Sequence, residues 1–316
     1  MKLITVVTPC YNEEDNVDEV YTQTKAIFSC IEGVQYEHLF IDNCSTDRTP
    51  ILLRQLAAAD PQVKVIFNAR NFGHIRSPYY GLLQAKGDAA ILLVADLQDP
   101  PELMKQFVAH WLTGEKIVVG VKPSSEESSI MFGLRRLYYR MITRIADVKL
   151  IQNFTGFGLY DRQVLDVLRR IDDPYPYLRG LVSEVGFEAI QIPYNQPRRQ
   201  RGITKNNFYT LYDIAMLGIT SHSRVPLRLA TMIGFALSGV SLFVSLIYLL
   251  LKLIFWDQFS MGTAPVLIGV FFFASVQLFF IGLLGEYVGA ILTHVMKRPL
   301  VIERERINFE NTPPTP

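Results

Sequence analysis

Residues 90–102 read AILLVADLQDPPE. An apolar, β-branched run ends abruptly in two carboxylates and a Pro-Pro pair, which is typical of a buried strand that stops at a polar turn. Similar short runs occur at 3–8, 38–41 and 63–67, and patterns with helical spacing alternate with them. Strands that alternate with helices predict an α/β fold with a mostly parallel sheet and helices on both faces.

Polar segments follow all four predicted strands, at 9–13, 42–47, 68–73 and 96–99. In parallel α/β sheets, ligands bind beyond the carboxyl ends of the strands, so these segments predict a site at that edge. Asp99 has a second interpretation, because Asp99, Pro100 and Glu102 fit the N-cap, N1 and N3 positions of a helical capping box. We favour the cap for Asp99 and keep a metal ligand as the alternative.

The composition excludes several classes of protein. The 316 residues are 49% hydrophobic, with a mean hydropathy of +0.19, which is more apolar than one soluble domain usually is. A net charge of +1 argues against a nucleic-acid-binding protein. The cysteines Cys10, Cys30 and Cys44 have neither the spacing of a disulfide framework nor that of a zinc site. We therefore expect each of them to be a small buried residue, in a protein of a reducing compartment.

Two uncharged runs, 229–251 and 264–285, are each long enough to cross a hydrocarbon core. A short loop separates them, so they predict a transmembrane hairpin, with a soluble buried core as the weaker alternative. Cations flank the pair at Arg224, Arg228, Lys297 and Arg298. By the positive-inside rule both ends are expected in the cytoplasm. The apolar run at 4–7 is too short for a signal peptide.

These patterns divide the chain into four segments. They are a cytosolic domain (1–206), a juxtamembrane amphipathic helix (207–227), a transmembrane hairpin (228–294, with spans at about 229–251 and 264–288) and a cytosolic C-terminal strand and tail (295–316). Two stretches, 134–145 and 208–219, are amphipathic. In the first stretch, arginines on one face favour contact with a membrane surface. For the second stretch, contact with the membrane and packing on the cytosolic domain are equal alternatives. The Pro/Thr-rich tail after Asn311 is expected to be disordered.

Seven motifs occur in a fixed order along the chain. They are 9–14, 42–47, 70–73, 96–102, Thr155-Gly156-Phe157, Arg199 with 202–205, and the hairpin ending at 285–287. Together they resemble family-2 glycosyltransferases of the polyisoprenyl-phosphate type, such as bactoprenol glucosyltransferases and, more distantly, dolichol-phosphate mannose synthase. The resemblance covers nearly the whole chain. It implies a Rossmann-like GT-A fold, a nucleotide-sugar donor, Mg²⁺ or Mn²⁺, and a lipid phosphate acceptor.

The resemblance also implies roles for individual residues. For the donor nucleotide sugar it indicates Pro9, Tyr11, Glu13, Asp42, Asn43, Arg70 and Asp96, with a packed aromatic as the alternative for Tyr11 and a helix cap for the neighbouring Asn12. Asp96 at a strand end is the best candidate metal ligand, because hard cations prefer carboxylate oxygens, and Gln98 is its counterpart beside the metal or donor.

A basic segment, 198–205, contains Arg199 and Lys205 and has no acid. Both side chains offer donors for phosphate oxygens, so we expect them to hold the acceptor phosphate. An ordinary solvated face is the alternative.

The chain departs from the family pattern at three positions. Val94 stands where the first acid of Asp-x-Asp is usual, and Asn43 and Phe157 also replace acids. A phosphate acceptor has a second pKa of about 6 and can attack without a general base, so loss of the acid at 157 is tolerable. Glu184 is a candidate substitute, with an ordinary surface glutamate as the alternative.

We therefore expect an inverting transfer of a glucose, another hexose or an N-acetylhexosamine from a UDP-sugar to undecaprenyl or a similar polyisoprenyl phosphate. The enzyme would be a multi-pass protein of the inner membrane with a cytoplasmic catalytic domain. Alternatives are another lipid or glycan acceptor, and a catalytically silent membrane scaffold or nucleotide-sugar binder. The resemblance also implies homo-oligomerisation to a tetramer, through the hairpin and the strand-like segment 300–306.

Overall fold

The computed structural model of the protein describes residues 1–122, 151, 153–195, 225–254 and 263–309. The strands are β1 (Lys2–Cys10), β2 (Val34–Asp42), β3 (Val63–Asn68), β4 (Ala89–Leu92), β5 (Ile117–Val121), β6 (Phe154–Asp161), β7 (Ala189–Pro193) and β8 (Glu303–Ile307). The helices are α1 (Val17–Ser29), α2 (Thr49–Ala59), α3 (Gly73–Gln84), α4 (Leu103–Leu112), α5 (Arg162–Arg170), α6 (Leu178–Glu184), α7 (Val225–Ile254) and α8 (Thr263–Val295).

Across the described residues, these strands form one sheet in the order β7-β5-β6-β4-β1-β2-β3-β8. The neighbours β3, β2, β1 and β4 are all parallel, and β5 is parallel to β7. The strand β6 runs antiparallel to β4 and β5, and β8 runs antiparallel to β3. The predicted mostly parallel α/β sheet is confirmed, with two antiparallel strands that the sequence analysis did not place in it.

Helices cover both faces of the sheet, because side chains alternate between the faces along each strand. On β4, Ile91 packs in the core under α1 and α4, whereas Leu92 packs in the core under α3 and α5. The helix α1 buries Val17, Val20 and Phe28 on one face, as its sequence spacing predicts. Parallel strands buried on both faces require nearly continuous apolar runs, which these strands have.

The two C-terminal helices contain 30 and 33 residues and cover both predicted spans. Within the described residues, the segment Phe272–Thr293 is long and apolar enough to cross a membrane, with none of it buried. Large apolar side chains such as Phe235 and Phe243 on α7 and Phe279 and Ile291 on α8 are exposed. Apolar surface of this kind marks a site of contact with protein or lipid. The two-span hairpin stays a prediction.

The C-terminal strand β8 returns to the edge of the sheet. The sequence analysis placed a strand at 300–306, and the structure has it at Glu303–Ile307, paired with β3 of the same chain. The Tyr80 hydroxyl on α3 donates to Glu303 Oε1 at 2.8 Å. The chain after α8 is therefore part of the same sheet as the chain before α7.

Several expectations concern other parts of the chain. The amphipathic stretches 134–145 and 208–219 and the tail after Asn311 lie outside the described residues. All three cysteines are free. Cys10 is buried and Cys44 is half-buried, but Cys30 is exposed, so the expectation of small buried residues is wrong for Cys30.

Candidate functional site

The loops after β1 and β2 are joined by reciprocal hydrogen bonds. The Asn12 backbone N–H donates to Ser45 Oγ at 2.9 Å, and the Thr46 backbone N–H donates to Asn12 Oδ1 at 2.8 Å. Asn12 has φ +56°, a left-handed conformation that asparagine tolerates. The cap interpretation of Asn12 is wrong, because its side chain turns to the β2 loop and α1 has Asn16 at its N-cap.

The residues expected to contact the nucleoside lie together at this edge. Pro9 near the end of β1, Tyr11 and Glu13 are half-buried, and Cys10 pairs across the sheet with Asp42. Asp42 is fully buried and accepts the Ser45 backbone N–H at 3.2 Å. Burial raises the pKa of Asp42, while the hydrogen bonds from Ser45 and the charge of Arg304 lower it.

Both the oxygen and the nitrogen of the Asn43 side-chain amide make hydrogen bonds within the protein. Its Oδ1 accepts from Asn68 Nδ2 at 3.1 Å and from the Phe72 backbone N–H at 2.9 Å. Its Nδ2 donates to Asn71 Oδ1 at 2.8 Å and to the Gly73 carbonyl at 3.2 Å. Asn43 therefore holds the loop after β3 in place, and its donors explain why an amide stands here instead of an acid.

We predict that Asn43→Asp weakens the protein despite restoring the family's usual acid. A carboxylate cannot donate to Asn71 Oδ1 or the Gly73 carbonyl, so both acceptors would face the negative charge of a buried side chain. The expected cost is about 1–3 kcal/mol of unfolding free energy, measured by denaturant unfolding. An unchanged unfolding midpoint would show that the amide donors are dispensable.

Asp96 and Gln98 lie in one tight turn beyond β4. The strand ends at Leu92, earlier than the sequence analysis placed it, and Leu97 in the turn has φ +54°. Asp96 Oδ1 accepts the Gln98 backbone N–H at 3.1 Å, and both side chains are half-buried. A non-glycine residue in this conformation is strained, and such strain concentrates at functional sites.

Asp99 does not cap a helix, so the preferred sequence interpretation is wrong. The helix α4 begins at Leu103 with Glu102 at its N-cap, and no side chain caps it. Asp99 is 4% exposed and accepts the Tyr194 hydroxyl, and Lys122 Nζ lies 3.8 Å from its Oδ1. The Tyr194 hydroxyl and the Lys122 cation supply the donor and the opposite charge that a buried carboxylate needs.

The environment of Asp99 contains residues that the sequence analysis did not single out. Burial raises the pKa of Asp99, and Lys122, the Tyr194 hydrogen bond and Arg179 lower it. Lys122 directly follows β5 and Tyr194 directly follows β7. Recognising β5 and β7 as strands parallel to β4 would have placed both at the same edge.

We predict that Tyr194→Phe destabilises the protein by about 1.5–3 kcal/mol, because it removes a donor from a buried carboxylate. Tyr36→Phe is the matched control, since within the described residues the buried Tyr36 hydroxyl has no hydrogen-bond partner. Thermal unfolding of both variants measures the difference. Equal melting temperatures for the two would contradict the importance of the Asp99–Tyr194 hydrogen bond.

Phe157 is buried in the core where β6 passes the carboxyl end of β4, since the next residue, Gly158, pairs with Leu92. It is 1% exposed, and its ring centroid lies 4.9 Å from that of Phe107 and 5.9 Å from that of Tyr194. An acidic side chain at position 157 that pointed the same way would be surrounded by aromatic rings. The aromatic residue therefore stabilises the core at the position where the family pattern has an acid.

The remaining predicted site residues are dispersed. Arg70 is exposed, donates to the Asn71 carbonyl at 3.1 Å and has Cζ 4.1 Å from the Phe72 ring centroid. Glu184 is exposed and occupies the last position of α6. Arg199 and Lys205 lie outside the described residues.

The oxygen ligands available at the Asp96 turn fit a divalent cation that is bound jointly by the protein and a substrate. Among the described residues, no three His, Cys, Asp or Glu side chains form a group that could hold a metal. Mg²⁺ is commonly bound by one or two carboxylates, with substrate phosphates and water supplying the other oxygens. Asp96 and the amide oxygen of Gln98 suit that arrangement, whereas the part of the chain that the structure describes offers too few ligands here for a cation bound by protein alone.

Known proteins match this chain over nearly its full length. The model of Glycosyl transferase family 2 matches residues 5–169. The uncharacterized glycosyltransferase YkcC of Bacillus subtilis (strain 168) is 34% identical, covering 97% of this chain and 95% of that protein. The uncharacterized glycosyltransferase sll0501 of Synechocystis sp. is 30% identical, with 98% and 97% coverage. The SfII prophage-derived bactoprenol glucosyl transferase of Shigella flexneri is 31% identical, with 95% and 96% coverage.

The matched residues include most of β1, all of β2 to β6 and the Asp96 turn. The mostly parallel sheet with its polar carboxyl edge is the GT-A-like fold that the resemblance implied. With the family model spanning more than half of the chain and relatives matching almost all of it, the chain belongs to glycosyltransferase family 2 and is a glycosyltransferase.

Proposed function

We propose that this glycosyltransferase moves a hexose or N-acetylhexosamine from a nucleoside diphosphate, UDP in the first instance, to a polyisoprenyl phosphate at the cytoplasmic membrane leaflet. One observation carries the proposal. The alignment with a bactoprenol glucosyl transferase covers 95% of this chain, and so includes both the sheet and the long apolar helices. The acceptor class named in that relative matches a catalytic domain joined to apolar, exposed helices.

The donor is proposed to lie along the edge formed by β1, β2 and β4. Asp42 and the loop at 11–13 would contact the nucleoside, and Asp96 with Gln98 would hold Mg²⁺ or Mn²⁺. The cation would stabilise the negative charge of the departing diphosphate. The half-buried position of Asp96 supports this role, because its carboxylate is accessible to a ligand and partly shielded from water.

The acceptor phosphate is proposed to attack directly and to invert the anomeric carbon. At neutral pH a phosphate monoester is largely dianionic, since its second pKa is about 6, and so needs no proton removed. Position 157 carries a buried phenylalanine that cannot accept a proton, and Glu184, the candidate substitute, is exposed at the last position of α6, so direct attack is proposed without a base from either. Arg199 and Lys205 are proposed to hold the acceptor phosphate.

The return of β8 to the sheet supports two membrane crossings. Because β8 follows α8 and pairs with β3, which precedes α7, the chain before and after these helices lies on one side of a membrane. A chain that begins and ends on one side crosses an even number of times. If Phe272–Thr293 spans the membrane, we propose that α7, the other long helix among the described residues, provides the second crossing.

The proposal is tested with the full-length protein purified in detergent. Undecaprenyl phosphate, Mg²⁺ or Mn²⁺ and a panel of UDP- and GDP-sugars are added, and a lipid-linked sugar is sought by mass spectrometry. We expect a product with one donor, its loss on addition of EDTA, and no product with undecaprenol, which lacks the attacking phosphate. Nucleotide binding without any product would contradict the proposal and favour a silent nucleotide-sugar binder.

A further inference from the structure

The C-terminal strand contains a β-bulge at Arg304. Phe67 on β3 pairs with Glu305, but the next residue, Asn68, pairs with Glu303, so Arg304 is the extra residue. A bulge interrupts the alternation of side chains and re-aims the extra one. Bulges are frequent beside active sites for that reason.

Side chains from α3 hold the bulge in this form. In a regular strand, residues three apart point to opposite faces, yet Arg306 Nη2 donates to Glu303 Oε1 at 2.6 Å. The Tyr80 hydroxyl donates to the same Glu303 oxygen at 2.8 Å, and Arg306 Nη2 also donates to Gln84 Oε1 at 2.8 Å. The bulge brings Glu303 and Arg306 to one face, and this set of hydrogen bonds fixes the position of Arg304.

The bulge lies in line with the nucleoside edge of the site. Across the sheet, Cys10 pairs with Asp42, Asp42 with Phe67, and Phe67 with Glu305. Neighbouring strands are about 4.8 Å apart, so an arginine on β8 can reach across β3 toward the end of β2. Arg304 is exposed, with Cζ 5.9 Å from the Phe67 ring centroid. Its charge also lowers the pKa of Asp42, which burial raises.

We infer that Arg304 binds the nucleotide of the donor and that the docked C-terminal strand completes the nucleotide site. This inference rests on the proposed function, because it assigns a residue to the donor of that reaction. A guanidinium offers several donors and no acceptor, so it complements the phosphate, ribose and base oxygens of a nucleoside diphosphate. Asp42 offers only acceptors when ionised, and the two residues together match a ligand that both donates and accepts.

The test measures binding of UDP and GDP to the full-length protein by calorimetry. Arg304→Ala is expected to weaken binding of the accepted nucleotide by about tenfold or more, since a charge-assisted hydrogen bond is worth about 1.5–3 kcal/mol. Arg298→Ala is the matched control, because Arg298 is an exposed cation in the segment that connects α8 to β8. It removes the same charge outside the bulge and is expected to bind like the wild type.

Steady-state kinetics separate nucleotide binding from a structural role. For Arg304→Ala we expect a raised KM for the donor sugar, with kcat and the KM for the lipid acceptor unchanged. Wild-type nucleotide affinity in Arg304→Ala, alongside normal transfer by the wild type, would overturn the inference and leave the proposed function intact. If the wild type itself neither binds a nucleotide nor transfers sugar, it is the proposed function that fails.

Discussion

Asp96→Asn is expected to lower sugar transfer by about 10²–10³-fold, the cost typical of losing one major electrostatic contact to the charge that develops in the reaction. The substitution removes the negative charge but keeps an oxygen that can accept the Gln98 backbone N–H. The fold should therefore persist, and the loss should appear in kcat with saturating donor and metal. Initial rates of lipid-linked sugar formation measure the effect.

Asp88→Asn is the matched control for Asp96→Asn. Asp88 immediately precedes β4, at the opposite end of the strand from Asp96, and its Oδ2 accepts the Leu3 backbone N–H at 2.8 Å. An amide oxygen can accept the same hydrogen bond, so transfer should be unchanged. Equal, measurable rates for Asp96→Asn and the wild type would show that transfer does not need the Asp96 carboxylate and would remove Asp96 from the active site.

Phe157→Asp is expected to destabilise the protein by at least about 3–5 kcal/mol, even though it restores the acid usual in the family. The change deletes a ring that packs on Phe107 and Tyr194 and places a carboxylate among apolar side chains. A large fall in the apparent melting temperature, with no gain in transfer, is the expected result.

Phe157→Leu separates the two contributions to this loss. Leucine keeps an apolar side chain and leaves a smaller cavity, so the expected cost is lower than for aspartate. Thermal unfolding and transfer rates are measured on all three proteins. A Phe157→Asp protein that is as stable as the wild type and faster in transfer would show that position 157 faces the reacting groups and that a base is used.

Local patterns in the sequence were sufficient for the fold class and for the first four of the eight strands that the described residues contain. Apolar runs predicted β1 to β4, helical spacing predicted the buried face of α1, and polar residues after the strands predicted the edge where Asp42, Asp96 and Gln98 lie. Each of these features depends on a few consecutive residues that alternate between burial and exposure. Their period is set by backbone geometry, which is the same in every protein.

The hydrogen-bond partners of buried polar residues could not be predicted from local sequence patterns. Asp99 fits a capping box when only its neighbours are considered, but its partner Tyr194 lies 95 residues away in the chain. Asn43 differs from the family pattern by one atom, and the reason is its contacts to Asn71 and Gly73 in the next loop. A buried polar group selects the partner that best satisfies it, and local sequence does not contain that partner.

By itself, therefore, the sequence determined the α/β class, the first four strands, the polar carboxyl edge where the predicted site residues lie and the apolar C-terminal helices. Only the tertiary structure decided that Phe157 enters the core, that Asp99 meets Lys122 and Tyr194, and that β8 brings Arg304 beside β3. The physical reason is the distance along the chain over which each interaction acts. Backbone periodicity acts over a few residues, whereas burial and charge pairing join residues that become neighbours only when the whole sheet assembles.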